Sequence, residues 1–489
     1  MTSDLTIDKQ SILDNRGVRR RKNIYLVVGP TTALAIYFLL DLTSLSDEGR
    51  GVAAIASLMG IWWVTEALPL GVTSLIPIIG FPLLGALPAA EASGPYANPS
   101  VFLFLGGFLL ALAVQTSGLD KRIAITTVSL TGSSPGRVIA GFMISAAFVT
   151  MFVSNGATTM MMLPIALAVI RLVRPQLGNE GPRFATGLLI AVAYSATIGS
   201  LASLIGAPVN LIVAGFIEEN TGQSINFLTW MMFGVPLAAV LMFVAWLLIS
   251  RVFYRVRFTD QGEVTRLLKT QKEELGPLRQ EERWCLNAFA VACFGWIVLP
   301  LIWPDSPVSD SIVAVIVGIS LFIMPSSDGT RLLTWKKTTG MPWDVLLLFG
   351  AGFSLSAAVS GTDLNTWIGT QFEGLGGLPL LATLAIIVLS LTFLTEFTSS
   401  VAVAATFIPI VGGVAEGLGF QIAPLVVSAG YACLMAFALP VGTPPNAVVF
   451  ASGEINTKDL IRAGIPMNVA GIVALLVLAS TLIPLIVGA

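Results

Sequence analysis

A run of small polar residues, Val153-Ser154-Asn155-Gly156-Ala157-Thr158-Thr159, sits between two apolar arms at 139–153 and 160–173. Inside a bilayer the backbone has no water to bond. Polar, non-helical chain survives there only against protein or a water-filled cavity. Two arms meeting at a polar tip therefore predict a re-entrant hairpin and not a spanning helix. The pattern returns at Phe397-Thr398-Ser399-Ser400-Val401-Ala402, and Pro409 lies as far beyond Ser399 as Pro164 lies beyond Ser154. Interrupted apolar segments at corresponding places in two halves point to the binding site of a secondary transporter.

Composition sets the solvent. Of 489 residues, 55% are hydrophobic and 11% charged, and the mean hydropathy is +0.86. A soluble domain carries roughly 25% charged residues, so an all-α, multi-pass membrane protein is expected, with the lipid bilayer as its surroundings and no nucleic-acid partner. The chain has no histidine, which removes the commonest general base and metal ligand together. Cys285, Cys293 and Cys433 lie in or beside apolar segments without metal-ligand spacing and read as packing residues. With no Ser/Lys pair in the apolar core either, the sequence argues against a membrane enzyme and calls for no cofactor. A passive channel needs a continuous polar path, whereas the polar residues here cluster at one depth.

Residues 1–23 form a polar tail without the basic, apolar and cleavage order of a signal peptide. The cluster Arg19-Arg20-Arg21-Lys22 places that end in the cytoplasm by the positive-inside rule. A first span at 24–41 precedes apolar runs at 52–69, 73–87 and 100–116, the first hairpin at 139–173, a long segment at 184–217 and a span at 229–250. Residues 251–283, opening with Arg251, Arg255 and Arg257, read as a cytoplasmic linker without chemistry of its own. Spans at 286–303, 311–325 and 343–359 follow, then the second hairpin at 379–415, a long segment at 423–450 and a last span at 464–487. Eleven crossings of the cell inner (cytoplasmic) membrane leave the C-terminus outside.

The halves repeat. Ser117-Gly118-Leu119-Asp120 pairs with Ser360-Gly361-Thr362-Asp363, and Ser154 and Pro164 pair with Ser399 and Pro409. Ile205-Gly206-Ala207-Pro208-Val209-Asn210 pairs with Val441-Gly442-Thr443-Pro444-Pro445-Asn446. Three pairings in one order mark a duplication, 42–250 against 284–489, and the opposite charge flanks of the two hairpins make it an inverted repeat. The span 24–41 has no counterpart and is an added helix.

Each Gly-x-Pro-x-Asn element interrupts its own apolar segment, because proline removes a donor and glycine relaxes the helix. Two broken helices result. A break frees carbonyls, which suit a small hard cation, and helix N-termini, which suit an anion. No Lys or Arg lies within 139–170, 184–217 or 379–450, so an anion there is held by dipoles, hydroxyls, Asn155 and co-bound cations. The carboxylates inside apolar runs are Glu66, Asp344 and Glu396. Glu66 and Asp344 lie near span ends and read as partners of neighbouring backbone amides. Glu396, beside the second tip, admits a structural and a functional reading equally.

These elements, with Trp63-Val64-Thr65-Glu66-Ala67 and with Thr395-Glu396-Phe397 ahead of the second tip, together resemble the divalent-anion/sodium symporter family over nearly the whole chain from about residue 24. The resemblance implies a homodimer with a fixed scaffold and a transport domain that moves elevator-fashion. It implies sodium as the coupling ion and a small dicarboxylate of the succinate, malate or fumarate type as the substrate. Sulfate or another divalent anion, or sodium-independent exchange, is the alternative on the same fold. In the family each tip reads Ser-Asn-Thr. Here Gly156 replaces the first threonine, and Ser399-Ser400-Val401 lacks the asparagine amide and the threonine hydroxyl. Carried over by position, the resemblance implies a first sodium site at Ser154, Asn155 and the Gly206 carbonyl, with Thr150 nearby. It implies a second at Thr395, Thr398, Ser400 and Gly442. Substrate contacts fall at Ser154, Asn155, Gly156, Ser399, Ser400, Val401, Thr443 and Pro444.

Overall fold

The computed structural model describes residues 22–38, 45–131, 134–256, 262–304, 306–327, 329–362, 364–371 and 379–487. The basic residues Arg19, Arg20 and Arg21, the end of the first span at 39–41, Arg257 and Asp363 lie outside the described residues. Among the described residues the chain is helical, with one isolated β-bridge between Pro325 and Arg331.

Eight described helices are long and apolar enough to cross a membrane. They differ in what surrounds them. Gly181–Leu201 is buried along its whole apolar window, whereas Gln280–Ile302 and Thr457–Val487 have only 28% of theirs buried. An apolar helix covered on every side is a core element, and one that exposes most of its apolar surface presents it to lipid. The predicted run 73–87 is not one span. It resolves into the short helices Leu70–Thr73 and Ile76–Leu83, the second of which starts with Pro77 in its first turn and carries Pro82 inside.

The chain divides into two compact units. One gathers Met1–Asn98, Pro342–Gly377 and Ala402–Phe420. Within it the Ser46 hydroxyl caps Asp47–Thr65 by accepting from the Gly49 amide at 3.0 Å. The Trp63 indole donates to the Ser74 hydroxyl at 3.3 Å, the Tyr96 hydroxyl donates to the Ser74 carbonyl, and Ser354 donates to the Ala92 carbonyl at 2.8 Å. Glu66 ends Asp47–Thr65 in the left-handed region, with φ 48°, and is exposed. Asp344 is exposed in the first turn of Trp343–Ser360, where the helix dipole favours a negative charge. Both carboxylates sit at helix ends, as their sequence positions predict.

The other unit gathers Pro99–Met341, Leu378–Val401 and Gln421–Ala489. It holds both tips and both broken segments, while the second hairpin's second arm falls in the first unit from Ala402 onward. The linker is anchored here through Arg122, whose planar fork suits several oxygens at once. It donates to the Glu282 carboxylate at 3.0 Å and to the carbonyls of Leu275, Gly276 and Pro277 at 2.9, 3.0 and 3.2 Å. Arg279 adds a bond to the Ser117 carbonyl at 2.6 Å. At the far end of the first hairpin, Arg174 grips both oxygens of Glu454 at 3.0 and 2.9 Å.

Candidate functional site

The first tip is tighter than its run of polar residues suggests. The first arm is the helix Pro135–Thr150, and the second, Asn155–Leu177, already contains Asn155, Gly156, Ala157, Thr158 and Thr159. Only Met151–Ser154 leaves the helix. Ser154 is the N-cap, and its hydroxyl accepts from the Ala157 amide at 3.4 Å. Small polar residues at such a position bond the free first-turn amides, so they start the helix and do not interrupt it. The second tip repeats this form, with Leu380–Thr395 before the turn and Ser400–Gly417 after it.

Both broken segments open where the Gly-x-Pro-x-Asn elements stand. Gly181–Leu201 stops and Pro208–Thr221 restarts, and Ile422–Leu434 stops before Pro444–Phe450 restarts. At Gly206 a Cβ would lie 2.5 Å from the Ser200 carbonyl oxygen, so only glycine lets the chain fold back on the preceding turn. A Cβ at Gly442 would lie 2.9 Å from the Ala436 side chain and 3.2 Å from Glu396 Oε2.

The asparagine of each element clamps its own break. Asn210 Nδ2 donates to the carbonyls of Ser200 and Ser203 at 2.9 and 2.8 Å. Asn446 Nδ2 donates to the carbonyls of Ala436 and Leu439 at 3.3 and 3.1 Å. Both side chains are buried, at 1% and 0% exposure. A freed carbonyl away from water is costly unless it finds a donor, and one amide group here serves two. The motif ends in asparagine in both halves, which was the available signal for this role.

Each tip is tied to the break of its own half. In the first half the Ser203 hydroxyl donates to the Met151 carbonyl. In the second, Glu396 accepts from the backbone amides of Ala438 and Leu439, each at 2.8 Å, and from Asn468 Nδ2 at 2.6 Å. Glu396 is thereby a structural tie between the second tip and its break. The first tip also meets the second break, since a Cβ at Gly156 would lie 3.2 Å from Pro444 Cβ. Glycine in place of the family threonine accompanies this close approach.

Around these ties stand the residues that the resemblance nominates. Thr150 and Thr395 end the first arms, and both are fully buried. Their hydroxyls donate to their own helices, Thr150 to Ala146 at 2.8 Å and Thr395 to Leu391 at 2.9 Å, and Thr398 donates to Leu394 at 3.0 Å. A hydroxyl that donates keeps lone pairs to offer a cation. Ser154 is exposed, while Asn155, Gly156, Ser399, Ser400 and Val401 are half-buried. Thr443 is buried as the N-cap of Pro444–Phe450, with its hydroxyl accepting from Asn446 N at 3.5 Å, and Pro444 is exposed. All of them lie in the second unit. The described residues contain no cluster of three or more His, Cys, Asp or Glu that could hold a metal ion. The oxygens on offer are carbonyls, hydroxyls and one carboxamide, a donor set that suits a hard monovalent cation.

Apolar spans around two tips and two clamped breaks define the class: a polytopic helical membrane protein built as secondary carriers are. The chain belongs to the family described as the sodium:sulfate symporter transmembrane region, whose model it matches over residues 20–488. It is 34% identical to a sodium-dependent dicarboxylate transporter of Staphylococcus saprophyticus, over 97% of this chain and 94% of the relative. A transporter of the same description from Staphylococcus aureus is also 34% identical, over 95% of this chain and 92% of its own. In fold it resembles the Alcanivorax borkumensis YdaH transporter, with a TM-score of 0.57 at 13% identity over 88% of this chain and 98% of that one. Neisseria gonorrhoeae MtrF aligns with a TM-score of 0.57 at 12% identity, over 92% of this chain and 96% of its own.

Proposed function

We propose that this protein is a secondary active transporter that takes up small dicarboxylates together with sodium across the cytoplasmic membrane, and that it is not an enzyme. The observation that carries the reading is the 34% identity, over nearly the full length, to relatives described as sodium-dependent dicarboxylate transporters. The site chemistry supports it. A dianion at the tips finds no Lys or Arg within 139–170, 184–217 or 379–450, so its charge must be offset by helix N-termini and by co-bound cations. Sodium held by the tip and break oxygens supplies that charge. Each ligand then tightens the other, because coupling between two binding events is reciprocal.

In this reading Ser154, Asn155 and Gly206, with Thr150, hold one sodium ion, and Thr395, Thr398, Ser400 and Gly442 hold another. The dicarboxylate lies against Ser154, Asn155, Gly156, Ser399, Ser400, Val401, Thr443 and Pro444. The hairpins are re-entrant, the repeat is inverted, the N-terminus is cytoplasmic and the C-terminus outside, and the protein works as a homodimer by elevator motion. Uptake of labelled succinate into proteoliposomes tests the function. A sodium gradient should drive accumulation while potassium or proton gradients do not, and excess sulfate should leave it unaffected. Uptake of labelled sulfate in preference to succinate would overturn the substrate assignment.

The second tip yields a prediction of its own. Relative to Ser-Asn-Thr, Ser400 lacks an amide and Val401 a hydroxyl. Each bond to a charged oxygen is worth about 1.5–3 kcal/mol, less whatever water or backbone restores. The double variant Ser400→Asn, Val401→Thr should lower the half-saturation concentration for succinate roughly tenfold, one decade corresponding to about 1.4 kcal/mol. Unchanged half-saturation at saturating sodium would mean that the second tip does not touch the substrate.

A further inference from the structure

Two tyrosines join the broken segments crosswise. Tyr194, on Gly181–Leu201, donates its hydroxyl to the carbonyl of Phe437 in the second break at 2.8 Å, with the Leu460 carbonyl farther off at 3.3 Å. Tyr431, on Ile422–Leu434, donates to the carbonyl of Leu201 at the mouth of the first break at 3.2 Å. The two accepting residues are equivalent, since Leu201 precedes Gly206 by the same interval as Phe437 precedes Gly442. The donors are not equivalent: in the same alignment Tyr194 faces Gly430, and Tyr431 faces Ser195. Both tyrosines are fully enclosed, at 1% and 0% exposure. Space for one brace comes from Gly234, where a Cβ would lie 3.0 Å from the Tyr431 hydroxyl and 2.7 Å from the Leu201 carbonyl.

We propose that Tyr194 and Tyr431 are positioning residues that set the geometry of the break in the opposite half, and so make the two sodium half-sites depend on each other. The carbonyls they hold open onto the turns that end in Gly206 and Gly442. Holding Leu201 and Phe437 in place fixes the direction in which the following carbonyls of the break point. A cation site built from carbonyls is sensitive to that direction. Loss of Tyr431's hydroxyl therefore loosens the break of the first half, where Tyr431 does not reside, and loss of Tyr194's loosens the break of the second. The two effects are unequal. The Leu201 carbonyl keeps a second donor in the Trp230 indole at 3.0 Å, so Tyr431→Phe is the milder change.

The transport consequences rest on the carrier reading, and the test separates the two. Hydrogen-exchange mass spectrometry on full-length Tyr194→Phe and Tyr431→Phe, which keep the ring and its packing, reads the breaks without any substrate. Tyr194→Phe should speed exchange about fivefold in the peptide covering 437–443 and leave 202–207 unchanged, the effect expected for losing one neutral hydrogen bond. Tyr431→Phe should speed exchange in 202–207 by about twofold, given the remaining indole donor, and leave 437–443 unchanged. In proteoliposomes both variants should raise the sodium half-saturation while lowering the maximal rate proportionately less. Exchange that rises only around the substituted residue, or at neither break, overturns the proposal. Wild-type protein that takes up no dicarboxylate with sodium counts against the carrier reading, while the exchange pattern still decides the braces.

Discussion

Asn155→Ala should abolish sodium-driven succinate uptake in protein that inserts and folds normally. Asn155 is the first residue of the helix Asn155–Leu177 and is half-buried, and its carboxamide meets no side-chain or backbone partner among the described residues. Alanine is well suited to a helix, so little stability is at stake, within about 0.5 kcal/mol for a site of this kind. The loss falls on the ligands. One carboxamide offers an oxygen to a cation and an N–H to a carboxylate, and each bond to a charged group is worth about 1.5–3 kcal/mol. Two such losses lower the apparent affinity by roughly two to four decades. Uptake into proteoliposomes, set beside the size-exclusion profile and melting temperature, checks the expectation. Wild-type uptake by a well-folded Asn155→Ala protein would remove Asn155 from the site.

Glu396→Ala should remove both uptake and much of the stability of the second break. The carboxylate satisfies the amides of Ala438 and Leu439, in a stretch where Ala436, Phe437 and Ala438 belong to no helix, and the carboxamide of Asn468 on the helix Thr457–Ser480. Removing it strands one buried donor, the Ala438 amide, and two half-buried ones. A fully buried donor costs about 1–3 kcal/mol and a half-buried one less, so the summed cost is on the order of 2–5 kcal/mol. Glu396→Gln keeps the shape but turns an N–H toward one of those donors, and should fall between alanine and the native residue. The first half predicts a contrast. Its tie among the described residues is the bond from Ser203 to the Met151 carbonyl, so Ser203→Ala should cost only about 1 kcal/mol. Thermal unfolding in detergent ranks the variants, and equal melting temperatures for Glu396→Ala and Ser203→Ala would contradict the tie.

How far these features were legible depends on how local they are. The tips and breaks could be read from residues alone, because polar and proline-containing backbone inside an apolar run must lie against protein or a wet cavity and not against lipid. The tip boundary could not, since Asn155 through Thr159 suit a helix start as well as a loop. Pro77 and Pro82 were visible, yet the run 73–87 is apolar enough to read as one span, and only the structure separates Leu70–Thr73 from Ile76–Leu83. Glu396 could be flagged as a buried charge but not assigned, because its partners Ala438, Leu439 and Asn468 contribute amide groups that carry no pattern in sequence. The tyrosine braces were invisible for a stronger reason. Tyr194 and Tyr431 do not fall opposite each other when the two Gly-x-Pro-x-Asn elements are aligned, so the pairing that exposes the breaks conceals what joins them.

In the proposed site a dicarboxylate lies beside the sodium that offsets its charge, so the two must bind cooperatively, and calorimetric titration of succinate into the purified protein tests that most directly. With sodium raised stepwise at constant ionic strength, the succinate dissociation constant should fall with each step, by about tenfold or more overall if the coupling is of the usual 1–3 kcal/mol. Choline or potassium in its place should give weak binding or none. A succinate affinity that stays the same in sodium, potassium and choline would contradict the shared site.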